Sequence, residues 1–125
     1  MLRTILAAAA IAAVATATVA VGAAARPAMS PKLNGTVGPG FTISLKQSGK
    51  QVKTLKAGTY TFAIADKATI HNFVIEKESP GHLEKTLTGV GFQGTKTVTM
   101  KLTKGKWKFY CAPHQSSMFR KFTVT

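Results

Sequence analysis

From residue 41 to the end of the chain, apolar and polar positions alternate in short runs set apart by turn residues. Phe41, Ile43 and Leu45 alternate with Thr42 and Ser44 and stop at Gln47-Ser48-Gly49-Lys50, a hairpin-type turn. A short strand is predicted over 52–55, then a turn at Lys56-Ala57-Gly58, then a strand over 59–65 with Tyr60, Phe62 and Ile64 on one face. After a break at Asp66-Lys67-Ala68 the alternation resumes over 70–76, where His71, Phe73 and Ile75 share a face. Residues 77–94, with Pro80, Gly81, Gly89, Gly91 and Gly94, read as a long irregular connection.

Residues 95–102 alternate cleanly, with Val98, Met100 and Leu102 inward, and turn at Thr103-Lys104-Gly105-Lys106. Trp107, Phe109 and Cys111 then occupy one face and Lys108 and Tyr110 the other, and a last strand over 119–125 turns Phe122 and Val124 inward. Seven or so short strands, no helix-period segment after residue 25 and no internal repeat predict an all-β protein, a Greek-key β-sandwich. Its expected core is Phe62, Ile64, Phe73, Ile75, Val98, Met100, Leu102, Trp107, Phe109, Phe122 and Val124.

The N-terminus follows a different rule. Met1-Leu2-Arg3 is a short positive head, residues 4–25 carry no charge, and the stretch closes on Ala23-Ala24-Ala25 before Arg26-Pro27. That is the pattern of a signal peptide ending in a small-residue cleavage site, so export to the periplasm or the cell exterior is expected. A retained membrane anchor is the competing reading, since the run is long enough to span a bilayer. Its alanines and threonines are only weakly hydrophobic, however, and no cysteine near the junction suggests a lipoprotein. Residues 26–40 are assigned to a linker or first strand region, and residues 41–125 to a single domain with room for a small two-layer core.

Residues 26–125 keep 16 of the 17 basic side chains and all four acids, Asp66, Glu76, Glu78 and Glu84, for a net charge of +12. Such a charge favours encounter with acidic proteins or with an anionic envelope surface, in a salt-dependent way. The lysines are scattered and accompany no nucleic-acid reading motif, so nucleic acid is not the expected partner. Solvation of strand faces and protection of sheet edges explain such lysines equally well.

The chain has one cysteine. In an exported protein it has no internal disulfide partner, and metal ligation is the economical reason for keeping it. It opens the run Cys111-Ala112-Pro113-His114-Gln115-Ser116-Ser117-Met118, which sets a thiolate, an imidazole and a thioether within eight residues, while His71 lies forty residues upstream. Two imidazoles, a thiolate and a weak axial thioether make the ligand set of a blue-copper site. Strand parity adds a separate indication, since His71 and Cys111 each share a face with core residues. Each residue alone has a plainer explanation: an inward His satisfied by hydrogen bonds, a Cys acting as a small hydrophobe, a Met packing in the core. Zinc is the rival metal, but a structural zinc takes a fourth strong ligand where this chain offers a thioether. His82, in Ser79-Pro80-Gly81-His82, reads as a solvated loop residue. Asn72 is placed to bond across to the Cys111 loop.

The segment Phe109-Tyr110-Cys111-Ala112-Pro113-His114-Gln115, ending in Phe122-Thr123-Val124, resembles the C-terminal metal loop and last strand of plastocyanin, and Ile70-His71-Asn72-Phe73 resembles the upstream ligand motif of the same cupredoxin family. Small exported bacterial members similarly carry Ala-Gly-Thr-Tyr before the first ligand, here Ala57-Gly58-Thr59-Tyr60. The likeness spans residues 41–125. It implies a Greek-key sandwich that shuttles single electrons through one type 1 copper, with His71, Cys111, His114 and Met118 as ligands and His114 as the ligand nearest solvent. Between His114 and Met118 lie three residues, one fewer than in the usual plastocyanin loop. The expectation is a monomeric electron carrier and not an enzyme, with no paired carboxylates or His-x-His motifs to suggest catalysis. A copper-binding protein for sequestration or delivery in the envelope is the alternative, and a metal-free structural domain is a further one.

Overall fold

The computed structural model describes residues 13–18, 22 and 29–125. The expected signal segment, residues 1–25, lies outside the described residues apart from 13–18 and 22. Among the described residues ten strands form two five-stranded sheets: β1 (Lys32–Val37), β2 (Ile43–Gln47), β3 (Lys50–Gln51), β4 (Thr54–Leu55), β5 (Gly58–Asp66), β6 (Phe73–Ser79), β7 (Leu83–Thr88), β8 (Gly94–Leu102), β9 (Gly105–Tyr110) and β10 (Phe119–Val124). One sheet has the order β3-β2-β1-β5-β8 and the other β4-β10-β9-β6-β7. Both are mixed, because β1 pairs parallel to β5 and β10 parallel to β4, while the remaining pairs are antiparallel.

The alternating residues bury as the period-2 pattern requires. Phe62, Ile64, Phe73, Ile75, Leu102, Trp107 and Phe109 are fully buried, and Met100, Phe122 and Val124 nearly so. Val98 is only partly covered, at the margin of the cluster. The rings of Phe73 and Phe109 stack across the β6–β9 pair with centroids 5.4 Å apart. Burying side chains of this size contributes about 1.5–3 kcal/mol each before the entropy of ordering them.

Several expectations are corrected. β1, within the stretch read as linker or first strand, joins the core through Leu33 and Val37. Its alternation is hidden because the inward position between them is Gly35, where a Cβ would run into Ile64 Cδ1 and sit 3.1 Å from Phe73 Cε2. Glycine is what lets β1 lie this close. β7 forms inside the segment read as irregular. It is an edge strand exposed except at Leu87 and Thr88, so it carries no clear alternation. Of the predicted 52–55 strand only 54–55 forms one, β4, while Lys50 and Gln51, before it, form β3 in the other sheet, with Val52 buried where the chain crosses. Phe41, read as the first residue of the alternating run with Ile43 and Leu45, precedes β2 and is 61% exposed. The strand predicted over 70–76 starts at Phe73, which leaves His71 and Asn72 in the preceding loop, yet both are buried.

Candidate metal centre

Strand register brings four connections to one end of the sandwich. Val37, Ile43, Asp66 and Gly94 close one sheet at that end, and Phe73, Thr88, Tyr110 and Phe119 close the other. The loops 38–42, 67–72, 89–93 and 111–118 therefore cluster there. His71 enters two residues before β6, next to a register shift between Phe73 and Val74 of the kind that re-aims neighbouring side chains. The Phe73 N–H freed there donates to Thr88 Oγ1 at 3.0 Å.

Cys111 follows directly on β9 and starts a loop tied to itself. The Cys111 N–H donates to the Met118 carbonyl at 3.0 Å, the His114 N–H to the Cys111 carbonyl at 3.1 Å and the Met118 N–H to the His114 carbonyl at 2.9 Å. Ala112–His114 form a single 3-10 turn, in whose first half Pro113 gives up an N–H that has no helical partner in any case. Asn72 Oδ1 accepts the Ala112 N–H at 2.7 Å, and so ties the His71 segment to the Cys111 loop as its position in the sequence implied.

Three donor atoms converge. His71 Nδ1 and His114 Nδ1 lie 3.1 Å apart, and Cys111 Sγ is 3.7 Å from the first and 3.6 Å from the second. A triangle with those edges has its centre about 2.0 Å from each corner, close to the 2.0–2.3 Å bonds that divalent transition ions make to imidazole nitrogen and thiolate sulfur. His71 Nε2 donates to the Gly40 carbonyl at 2.7 Å, which leaves the lone pair of the neutral ring on Nδ1, facing the centre. Gly40 has φ +71°, a backbone setting that favours glycine. His71, Cys111 and Met118 are fully buried, whereas His114 is half-buried. Among the described residues no further His, Cys, Asp or Glu joins this group, so a tetrahedral zinc set is incomplete. Two imidazoles and one sulfur, closed by a loop that ends in the buried Met118, fit copper instead.

Phe41 is the feature that sequence reasoning misplaced. Its ring meets the His114 ring edge-on at 4.9 Å and the His71 ring at 5.6 Å, and so screens both imidazoles from outside. The glycines and proline of Gly38-Pro39-Gly40 were the available sign that Phe41 belongs to a turn and not to the strand beginning at Ile43. His82, expected to be solvated, is 63% exposed but holds Glu76 Oε1 at 2.9 Å, while Lys108 Nζ lies 3.2 Å from Glu76 Oε2. Burial raises the Glu76 pKa, and the bonds from His82 and Lys108 more than offset it, so the net shift is downward. On the same sheet face Tyr110 is pushed up to about 12, mainly by desolvation, with the Glu84 carboxylate adding to the rise.

The arrangement agrees with the comparisons to known proteins. Residues 42–125 match the family model of copper binding proteins of the plastocyanin/azurin family. No curated protein matches the chain. Among solved structures, the copper protein rusticyanin is similar at 20% identity and TM-score 0.53, over 75% of this chain and 76% of its own. Reduced rusticyanin gives 22% and 0.53, over 75% and 78%. Auracyanin A, a blue copper protein from the green thermophilic photosynthetic bacterium Chloroflexus aurantiacus, gives 16% and 0.54, over 78% of this chain and all of its own. At these identities the solved structures speak for the fold, and the family model covers most of the described chain. The chain belongs to the plastocyanin/azurin family of copper-binding proteins, the cupredoxins.

Proposed function

We propose that this chain is an exported carrier of single electrons, with His71, Cys111 and His114 as the strong ligands of one type 1 copper and Met118 as its weak axial ligand. Copper is the cofactor of this family, and when bound it supplies a one-electron Cu(II)/Cu(I) couple. The observation that carries the reading is the triangle of two Nδ1 atoms and one Sγ, preformed at bonding size in a buried site.

The residues divide the work. Cys111 and His71, both without solvent exposure, keep water from the site and are held by the β9 end and the Gly40 carbonyl. Asn72 and the internally bonded loop fix the distance between these two segments, so the cage needs little rearrangement between oxidation states. His114, the half-buried member, is the ligand through which a partner gains contact, with Phe41, Ile70 and Pro113 exposed around that end. The partner is a redox protein. The net positive charge attracts an acidic one from a distance, while the contact itself is apolar at this end. Full burial of two ligands favours retention of the metal over delivery to another protein, and the reading is of a carrier, not an enzyme.

Visible absorption of the copper-loaded protein tests this. An intense thiolate-to-copper band, bleached by ascorbate, restored by oxidant and lost in Cys111→Ser, is expected. A colourless protein that yields its copper rapidly to a weak chelator would reject the carrier reading and support delivery.

A further inference from the structure

The positive charge of this protein is unevenly placed. The four loops of the site end, 38–42, 67–72, 89–93 and 111–118, carry a single charged side chain, Lys67, with Lys96 and Arg120 a little way along the strands behind them. At the opposite end the connections and strand ends present Lys32, Lys50, Lys53, Lys56, Lys104 and Lys106, all exposed. None of these six is paired with a carboxylate among the described residues, where the lysines in ion pairs are Lys108 and Lys121. Edge protection alone does not account for this, because the lysines gather in end connections and not only along edge strands. A groove of about 600 Å³ reaches this end, lined by Lys53, Lys106 and Lys121 together with Glu78, Ser79 and Thr123.

Chain direction adds an independent observation. β1 runs from Lys32 at the basic end to Val37 at the site end. The chain therefore enters the domain at the basic end.

We infer that the lysine-rich end is a membrane-facing surface for anionic phospholipid headgroups, which seats the sandwich with its metal end pointing away from the bilayer. Unpaired, solvated ammonium groups on long stems, beside the exposed Met29 and Leu83, suit a diffuse sheet of phosphates better than one shaped protein epitope. The apolar site end remains free to meet a redox partner. The inference stands apart from the metal assignment, because it uses only charge placement and chain direction.

The test is sedimentation of the exported form, residues 26–125, with vesicles of 80% phosphatidylcholine and 20% phosphatidylserine, and with vesicles of phosphatidylcholine alone. Each lysine near such a surface is worth on the order of fivefold in affinity. Lys53→Gln/Lys56→Gln/Lys104→Gln should therefore bind the anionic vesicles about a hundredfold more weakly. The charge-matched control Lys67→Gln/Lys85→Gln/Lys96→Gln should lose much less, and circular dichroism should show both variants folded. Hydrogen exchange on vesicles should slow at residues 103–106 and remain unchanged at 111–118. Equal losses in the two triples would overturn the inference in favour of undirected net charge. Equal binding of the wild type to neutral vesicles would overturn it in favour of apolar insertion. Capture by an acidic protein with no vesicle binding would assign the surface to a protein partner.

Discussion

Replacing Asn72 with Ala isolates the bond that sets the two ligand segments against each other. Asn72 is 5% exposed, and its Oδ1 accepts the Ala112 N–H at 2.7 Å across a sequence gap of forty residues. Truncation leaves that N–H without its acceptor. A donor left unsatisfied in a fully buried place costs about 1–3 kcal/mol. Ala112 itself is exposed, so water reaches the freed group in part and the expected loss falls toward the lower end, about 1–1.5 kcal/mol. For a domain of about a hundred residues, 1 kcal/mol corresponds to a fall in melting temperature of about 4–8 °C. Urea and thermal unfolding of the metal-free protein measure this term. The copper-loaded protein should lose more, because looser spacing between His71 and Cys111 also lowers metal affinity, and binding to the native state adds to stability. An Asn72→Ala protein that melts within about 1 °C of wild type in both forms would refute the reasoning, since it would show the Ala112 N–H equally satisfied by water.

Met118→Leu, which nearly conserves volume, should cost less than about 1.5 kcal/mol in metal-free unfolding, whereas Met118→Ala should cost about 2–5 kcal/mol, because the side chain is fully buried in the core. A changed reduction potential in the Leu variant, read by spectroelectrochemistry, would mark the thioether as a ligand, and an unchanged one would mark it as packing. Phe41→Ala should leave stability within about 0.5 kcal/mol, since the ring is 61% exposed, while uncovering the edges of His71 and His114 and shifting both potential and electron-exchange rate, measured by voltammetry. Tyr110 gives a pH prediction. Its folded pKa of about 12 lies above the ordinary value of 10, so the folded state binds the proton more tightly. The stability this confers is complete below pH 10 and is lost as pH rises toward 12, by about 1 kcal/mol once solvent screening of the hydroxyl is allowed for. Urea titrations across that window should show the slope in wild type and a flatter one in Tyr110→Phe.

Much of the molecule was legible in residue order. The inward sets Phe62/Ile64, Phe73/Ile75 and Trp107/Phe109 followed from period-2 alternation, which survives wherever one sheet face is buried and the other wet. Three of the four candidate site residues meet as the sequence suggested, Cys111 and His114 from one loop and His71 from forty residues upstream, although His71 enters from the loop before β6 and not from the strand that parity gave it. What alternation could not show is whatever depends on a neighbour far along the chain. Gly35 looks like linker in the sequence and is a core position only because Ile64 and Phe73 fill the space a side chain would take. Phe41 continues an apolar alternation, yet the turn at Gly38–Gly40 lifts it out of the strand and lays it against two imidazoles. β7 is polar along most of its length and exists because β6 offers it an edge. The bonding size of the donor triangle, the Gly40 carbonyl that sets the His71 tautomer and the gathering of unpaired lysines at one end all belong to tertiary structure as well. Sequence by itself determined which side chains prefer the interior and which can bind a soft metal, because hydrophobicity and ligand chemistry are properties of single residues. Distances between residues forty positions apart were decided only when two sheets packed, because they depend on every strand between them.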